Sequence, residues 1–351
     1  MRQTKRHSPG YFLALTFAFI LSLAALAASP GALAQSPLPP FTPPNPPPPP
    51  GYTPPGQSAS RDHSIKSEVA LVVLHVTVAD PSGQFVSGLT QGNFNVFEDK
   101  VEQKISFFSS RDIPVTMGLV IDNSGSMAEK RDQVNAAALA FVHSSNPQDE
   151  AFVVNFNDEY YLDTEGDFTS DPQNLSDALS RIETHGSTAL YDAVIGSLDH
   201  LKKGRKDKRV LLLVTDGDDD ASTNTLETTL KIAEQSDAAI YAIGVFSEDD
   251  RQHDKRTVRR STRVLTELAE ATGGAAYFPA NLSQVTPICE QVAQEIRSQY
   301  SIGYYPSNTA KDGTFRTVQV QLIGPPKERG KLSVRTRSGY YAQPAASSSG
   351  N

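Results

Sequence analysis

The sequence predicts an α/β fold, a doubly wound and mainly parallel sheet, inserted into a small all-β, sandwich-like domain. Three observations predict it. Between residues 113 and 298, apolar runs of strand length alternate with stretches of helical periodicity. On either side of that region the pattern changes to apolar/polar alternation of period two, broken by turn residues. Two central runs, residues 115–121 and 210–214, are apolar almost throughout, as strands covered by helices on both faces are.

In chain order, Arg2, Lys5 and Arg6 precede an uncharged apolar stretch at residues 11–28, with Ala32-Leu33-Ala34 at the cleavage positions, so residues 1–34 read as a secretory signal peptide. The alternative is an uncleaved membrane anchor, because the stretch approaches the ~20 residues a span needs. Residues 35–65 form a Pro-rich disordered linker with polyproline II expected between Pro37 and Pro55. Residues 66–112 carry a β-branched run, the turn Asp80-Pro81-Ser82-Gly83, and a hairpin in which Phe94, Val96, Ile105 and Phe107 alternate around Glu98-Asp99-Lys100.

Within residues 113–298 strands are expected at 115–121, 151–156, 210–214 and 239–245. Helices are expected up to Val142, at Leu190, Ala193, Val194, Leu198 and Leu201, at 226–233, at 264–271, and at Val285, Ile288, Val292 and Ile296. Residues 299–341 return to period two, with Tyr300/Ile302/Tyr304, Val318/Val320/Leu322 and Leu332/Val334 separated by turns. Two or three strands seldom support a sheet alone, so residues 66–112 and 299–341 are expected to build one domain together. Residues 342–351 read as a disordered tail.

The formal charge of −8 becomes −11 once the three N-terminal bases are removed, which argues against nucleic acid as a partner. The basic cluster Lys255, Arg256, Arg259, Arg260 and Arg263 follows Glu248, Asp249, Asp250 and Asp254, and reads as a solvated loop leading into a helix. The single cysteine, Cys289, excludes an internal disulfide and sits in an apolar helical pattern, so it reads as a small buried side chain.

The chemistry concentrates at strand ends. Asp122-Asn123-Ser124-Gly125-Ser126 follows the first central run, Thr188 lies where a loop meets a helix, and Thr215-Asp216-Gly217 closes another buried run. A carboxylate and two hydroxyls at alternate positions of a tight turn are hard oxygen donors, suited to Mg²⁺, Mn²⁺ or Ca²⁺ rather than zinc. The plainer reading is a turn with helix caps, Ser126 and Thr188 each preceding a helix.

D-x-S-x-S, a Thr loop and a strand ending T-D-G, in that order, resemble the von Willebrand factor type A (VWA) domain and its metal-ion-dependent adhesion site. The resemblance covers about residues 113–298 and implies a Rossmann-like VWA fold. Exported bacterial proteins of the VWFA-related type look similar in the flanks, with Gly88-Leu89-Thr90, the segment from Phe94 to Asp99 and Gly339-Tyr340-Tyr341. By that resemblance Ser124 and Ser126 bind the metal directly, Thr188 directly or through water, and Asp122 and Asp216 directly or as outer acceptors. It also implies a non-enzymatic, adhesion-type module in which the cation captures an exposed Asp or Glu of a protein partner.

Asn123 occupies the variable slot, and Ser187 stands where many relatives have glycine. An EF-hand-like reading of Asp216, Asp218, Asp220, Ser222 and Glu227 is weakened by Ala221 where glycine is needed. Two other functions stay open: a structural envelope protein whose metal only staples loops, and a metal-dependent hydrolase. No G-x-S-x-G, H-E-x-x-H, P-loop or S-x-x-K is present, and the seven histidines form no ligand pair at helical spacing. The expected location is exported: periplasmic, cell-surface or secreted. Membrane contact is expected only if the N-terminal apolar segment is kept.

Overall fold

Apolar side chains at every second position set β1 (Val72–Ala79) and β2 (Phe94–Glu98), which bury one face each. Asp99 and Lys100, both at positive φ, turn β2 into β3 (Val101–Gln103), and β4 (Ile105–Ser109) follows. The computed structural model describes residues 70–181, 183–324 and 332–343, so the signal peptide, the Pro-rich linker and most of the C-terminal tail lie outside the described residues.

The central region then runs β5 (Val115–Asp122), α1 (Arg131–Ser144), β6 (Glu150–Phe156), β7 (Tyr160–Leu162), α2 (Pro172–Leu179) and α3 (Leu190–Leu201). It continues through β8 (Lys208–Thr215), α4 (Leu226–Gln235), β9 (Ala238–Gly244), α5 (Glu248–His253), α6 (Lys255–Thr272), β10 (Ala276–Tyr277) and α7 (Val285–Ser298). The chain ends in β11 (Tyr300–Tyr304), β12 (Phe315–Leu322), β13 (Ser333–Arg335) and β14 (Gly339–Tyr341).

The central sheet has the order β10-β9-β8-β5-β6-β7, parallel throughout except for β7. Helices cover both faces, as a doubly wound fold requires. On one face Val134 and Phe141 of α1, Leu175 of α2 and Val292 of α7 pack on Leu119, Ile121, Val153 and Leu212. Opposite them Leu190, Val194 and Leu198 of α3 and Leu265 and Leu268 of α6 pack on Val120, Phe152, Leu211 and Leu213. Each such side chain removed from water contributes about 1.5–3 kcal/mol. Cys289 is fully buried on the first face, where burial pushes its thiol up to about 12, as a packing residue should be.

The flanks form two four-stranded antiparallel sheets, β13-β1-β11-β4 and β14-β12-β2-β3. In each, strands from before and after the central region are neighbours: β1 lies between β11 and β13, and β12 between β2 and β14. Leu74, Val76, Phe94, Val96, Ile302, Tyr304 and Val320 form their shared core.

Four short elements, β7, β10, β14 and α5, and the helix α2 were not visible in the periodicity, because two to eight residues barely complete one or two repeats. The basic cluster 255–263 is helix rather than loop. Asp254 caps α6 by accepting the Thr257 N–H, and the helix buries only Ser261 before Val264, so its first turns are charged on every exposed side.

We propose that residues 66–112 and 299–341 are one folding unit. Deleting residues 300–341 removes every partner of β1 and β4 and one of the two partners of β2, and the expected result is an aggregating chain with exposed apolar edges. A monomeric truncation whose thermal unfolding matches the full chain would show that the flanks are independent.

Candidate metal centre

β5 and β8 lie side by side at the middle of the central sheet, with β6 beyond β5 and β9 beyond β8. Chain connections diverge there, and such a switch point opens a crevice at the carboxyl ends of the strands. Asp122 is the last residue of β5, and Asp216 follows the last residue of β8.

The Asp122 carboxylate is fixed at both oxygens. Oδ1 accepts the Ser124 N–H (2.8 Å) and Oδ2 accepts the Thr215 hydroxyl (2.5 Å), whose own oxygen accepts the Gly217 N–H (2.8 Å). After an extended Ser124 the chain makes one 3₁₀ turn at Gly125–Met127, which brings the Ser124 and Ser126 hydroxyl oxygens to 3.1 Å. Ser124 is buried and Ser126 stands at the exposed rim. Burial and then the neighbouring Asp216 charge push the Asp122 carboxyl up to about 7, against the lowering effect of its hydrogen bonds from Ser124 and Thr215.

The loop of Thr188 is pinned from two sides. Gly186, at φ +77°, donates no side chain where a Cβ would meet Asp158 Oδ2 at 2.1 Å, and its carbonyl accepts the Gly125 N–H (3.1 Å). The Ser187 N–H donates to Asp158 (2.9 Å), and the Thr188 N–H donates to Asp220 Oδ1 (2.7 Å). The Thr188 hydroxyl makes no hydrogen bond among the described residues, and the cap position of α3 is Ala189, so Thr188 does not cap the helix.

The acids after Asp216 are engaged elsewhere. Asp218 pairs with Arg260, Asp219 accepts from the Tyr191 N–H and the Ser222 hydroxyl, and Asp220 holds the Thr188 backbone. They act as loop anchors rather than as an open acidic rim, and they do not aim at one centre as a Ca²⁺ loop would. Asp192 accepts four hydrogen bonds from Thr223 and Asn224, a local tie. Asn123 bridges to Asn155 of β6 and accepts from Arg131. His185 is exposed.

Two residues that sequence reasoning left out shape the site. Thr215 orients Asp122, and the T-D-G motif did contain it. Lys130, 4% exposed, places its ammonium 3.4 Å from Asp216 Oδ2 and 3.5 Å from Asp250 Oδ2. No local signal marks that lysine, because its partners are distant in sequence. Among the described residues no three His, Cys, Asp or Glu side chains converge. A cation at Asp122 and Asp216 would therefore depend on the hydroxyls, and the all-oxygen donor set beside two mutually repelling carboxylates fits a hard divalent ion.

Residues 117–218, which span both strand ends and the Thr188 loop, match the family model for the von Willebrand factor type A domain. The chain contains a von Willebrand factor type A domain. Comparison with curated proteins finds no match. Among solved structures, the chain is similar to an aerotolerance-related membrane protein from Bacteroides fragilis, at 16% identity over 52% of this chain and 98% of that one, TM-score 0.42. It is similar to the vWF domain of the type V pili tip protein Mfa5 from Porphyromonas gingivalis, at 12% identity over 53% and 95%, TM-score 0.43. It is also similar to von Willebrand factor type A from Catenulispora acidiphila, at 12% identity over 79% and 74%, TM-score 0.45. Among the described residues no helix is long and apolar enough to cross a membrane.

Lys130 gives the VWA domain an internal counter-ion for Asp216. Lys130→Met removes it and leaves the buried acids repelling, so the metal-free chain should melt lower than the parent. Added Mg²⁺ should then raise its Tm by more than it raises the parent's. Equal Mg²⁺ shifts in the two chains would contradict the assignment of the two acids to one cation site.

Proposed function

We propose that the VWA domain is a protein-interaction module of adhesion type, in which a divalent cation held by Asp122, Ser124, Ser126, Thr188 and Asp216 captures an Asp or Glu of a partner protein. One observation supports the reading: two buried carboxylates end adjacent strands, beside a pair of serine hydroxyls 3.1 Å apart and a loop, tied to Gly125 through the Gly186 carbonyl, that carries the unbonded Thr188 hydroxyl.

Mg²⁺, or Mn²⁺ or Ca²⁺ in its place, would supply a concentrated positive charge to which an incoming carboxylate adds as a further oxygen ligand. The chain's own residues hold the geometry. Thr215 and the Ser124 N–H fix the Asp122 carboxylate, the Asp158 and Asp220 carboxylates fix the Thr188 loop, and Lys130 offsets the charge of Asp216. Neutral hydroxyls in place of further carboxylates leave the site short of negative charge, which favours an acidic partner group. The composition of residues 1–34 supports an exported location for the module. No general base is assigned beside the acids, so the reading is non-enzymatic.

The test is a paired titration of Thr188→Ala, first for Mg²⁺ and then for a partner captured from the native envelope with and without chelator. Losing this hydroxyl adds no charge, so partner affinity should fall more than metal affinity. Unchanged partner affinity at saturating metal would exclude capture through the cation. Metal loss first, with partner loss only on unfolding, would favour a structural staple.

A further inference from the structure

The central sheet ends on one side at β7, whose three residues are all large and exposed: Tyr160 at 47%, Tyr161 at 38% and Leu162 at 42%. Edge strands are blunted by shortness, charge or proline; this one is short, at three residues, but carries neither charge nor proline within the strand.

The register defines what the edge offers. β7 pairs with β6 as Phe156 opposite Tyr160, Asn155 opposite Tyr161 and Val154 opposite Leu162. Inward bonds run from the Asn157 N–H to the Glu159 carbonyl and from the Asp163 N–H to the Val153 carbonyl. Antiparallel bonding alternates along a strand, so Tyr161 also faces β6, while the N–H and C=O groups of Tyr160 and Leu162 point to the open edge. The strand is held in place from behind. The Tyr160 ring lies against Gly196 of α3, where a Cβ would come within 2.5 Å of it.

The charge around the edge selects the occupant. Residues 157–167 contain Asp158, Glu159, Asp163, Glu165 and Asp167 and no lysine or arginine; Asp167 pairs with Lys203 (3.2 Å), so the acidity of the edge rests on the other four. A second copy of this chain pairing antiparallel about Tyr161 would set Glu159 directly against Asp163 of its mate, with Asp158 and Glu165 flanking that pair, and like charges opposite one another destabilise a ladder. An extended segment with apolar or β-branched residues in its middle and lysine or arginine at its ends meets the same edge with complementary charge.

We propose that β7 is a docking edge for such a segment of another protein, which adds a seventh strand to the central sheet by pairing with the backbone of Tyr160 and Leu162. The edge adjoins the candidate metal centre: the Asn157 carbonyl accepts the Ala189 N–H (2.6 Å) and Asp158 holds the Ser187 N–H. Backbone pairing needs no cation, so this surface is independent of the metal reading and goes beyond it.

The test uses the full chain in EDTA and a fluorescently labelled synthetic peptide of alternating threonine and valine flanked by lysines, followed by anisotropy. The lysine-flanked peptide should bind, and the same peptide flanked by glutamates should not. Leu162→Pro removes one outward N–H without touching the β6 ladder, and should weaken binding about tenfold. Because that variant could disturb the edge, the parent chain is also tested with a peptide N-methylated at alternate residues, which should weaken to a similar extent. Equal binding of the N-methylated and unmodified peptides, or of the glutamate-flanked and lysine-flanked ones, would overturn the proposal. So would a dimer of the parent chain that Leu162→Pro dissociates. Because every arm is run without divalent cation, loss of metal-dependent capture in a Thr188 variant leaves these results unaffected.

Discussion

Replacing Glu295 by alanine is expected to lower the stability of the fold by about 3 kcal/mol, the size associated with breaking a buried, hydrogen-bonded charge. Glu295 of α7 is 1% exposed and is the acceptor for groups from four strands. Its Oε1 takes the hydroxyls of Thr77 on β1 (2.9 Å) and Tyr241 on β9 (2.8 Å), its Oε2 takes the hydroxyl of Tyr277 on β10 (3.1 Å), and Arg335 of β13 pairs with it. Gln299 extends the network by donating to Thr77 and Tyr241.

One carboxylate thus joins the VWA domain to the flanking sheets. Alanine leaves the fully buried Tyr241 hydroxyl short of its acceptor and Arg335 without its counter-ion, and each unmet group has its own desolvation penalty. The isosteric Glu295→Gln keeps an acceptor and should lose less. Urea unfolding of both variants decides, and a loss below ~1 kcal/mol for the alanine variant would show that water replaces the network.

Asp122→Ala is expected to lower affinity for Mg²⁺ and Mn²⁺ by on the order of 100-fold or more, since loss of outer partners alone changes metal affinity by roughly 10–100-fold. The metal-free fold should change little. The variant strands the Ser124 N–H and the Thr215 hydroxyl, worth about 1 kcal/mol each, and in return removes a carboxylate that Asp216 repels. Calorimetry with both ions checks the first statement, and thermal unfolding in EDTA checks the second. Undiminished binding by the variant would end the site assignment, and a large fall in Tm without metal would mean that Asp122 is a structural residue.

The parts of the fold legible in the sequence are those whose signal is local and repeated. Residues 115–121 and 210–214 announced themselves because a strand buried on both faces is apolar at almost every position, and the observed β5 and β8 contain them. Asp122, Ser124 and Ser126 were legible because a strand-end turn of that composition is spelled in five consecutive residues. Thr188 and Asp216 could be named from their own short motifs, although the hold of Asp220 on the Thr188 backbone could not. β7 escaped notice because three residues show no period. Its meaning comes from lying at the end of the sheet with its backbone turned outward.

By itself the sequence determined the alternation of strands and helices in the centre, the period-two flanks, and the oxygen-rich strand ends, because each is written in residues close along the chain. Only the tertiary structure decided that β1 lies between β11 and β13, that Lys130 meets Asp216 and Asp250, and that Glu295 collects Thr77, Tyr241, Tyr277 and Arg335. Those contacts join residues separated by tens to hundreds of positions. Their energy comes from burial and charge pairing in a specific packed arrangement, and no local pattern of side chains encodes which distant group will be met there.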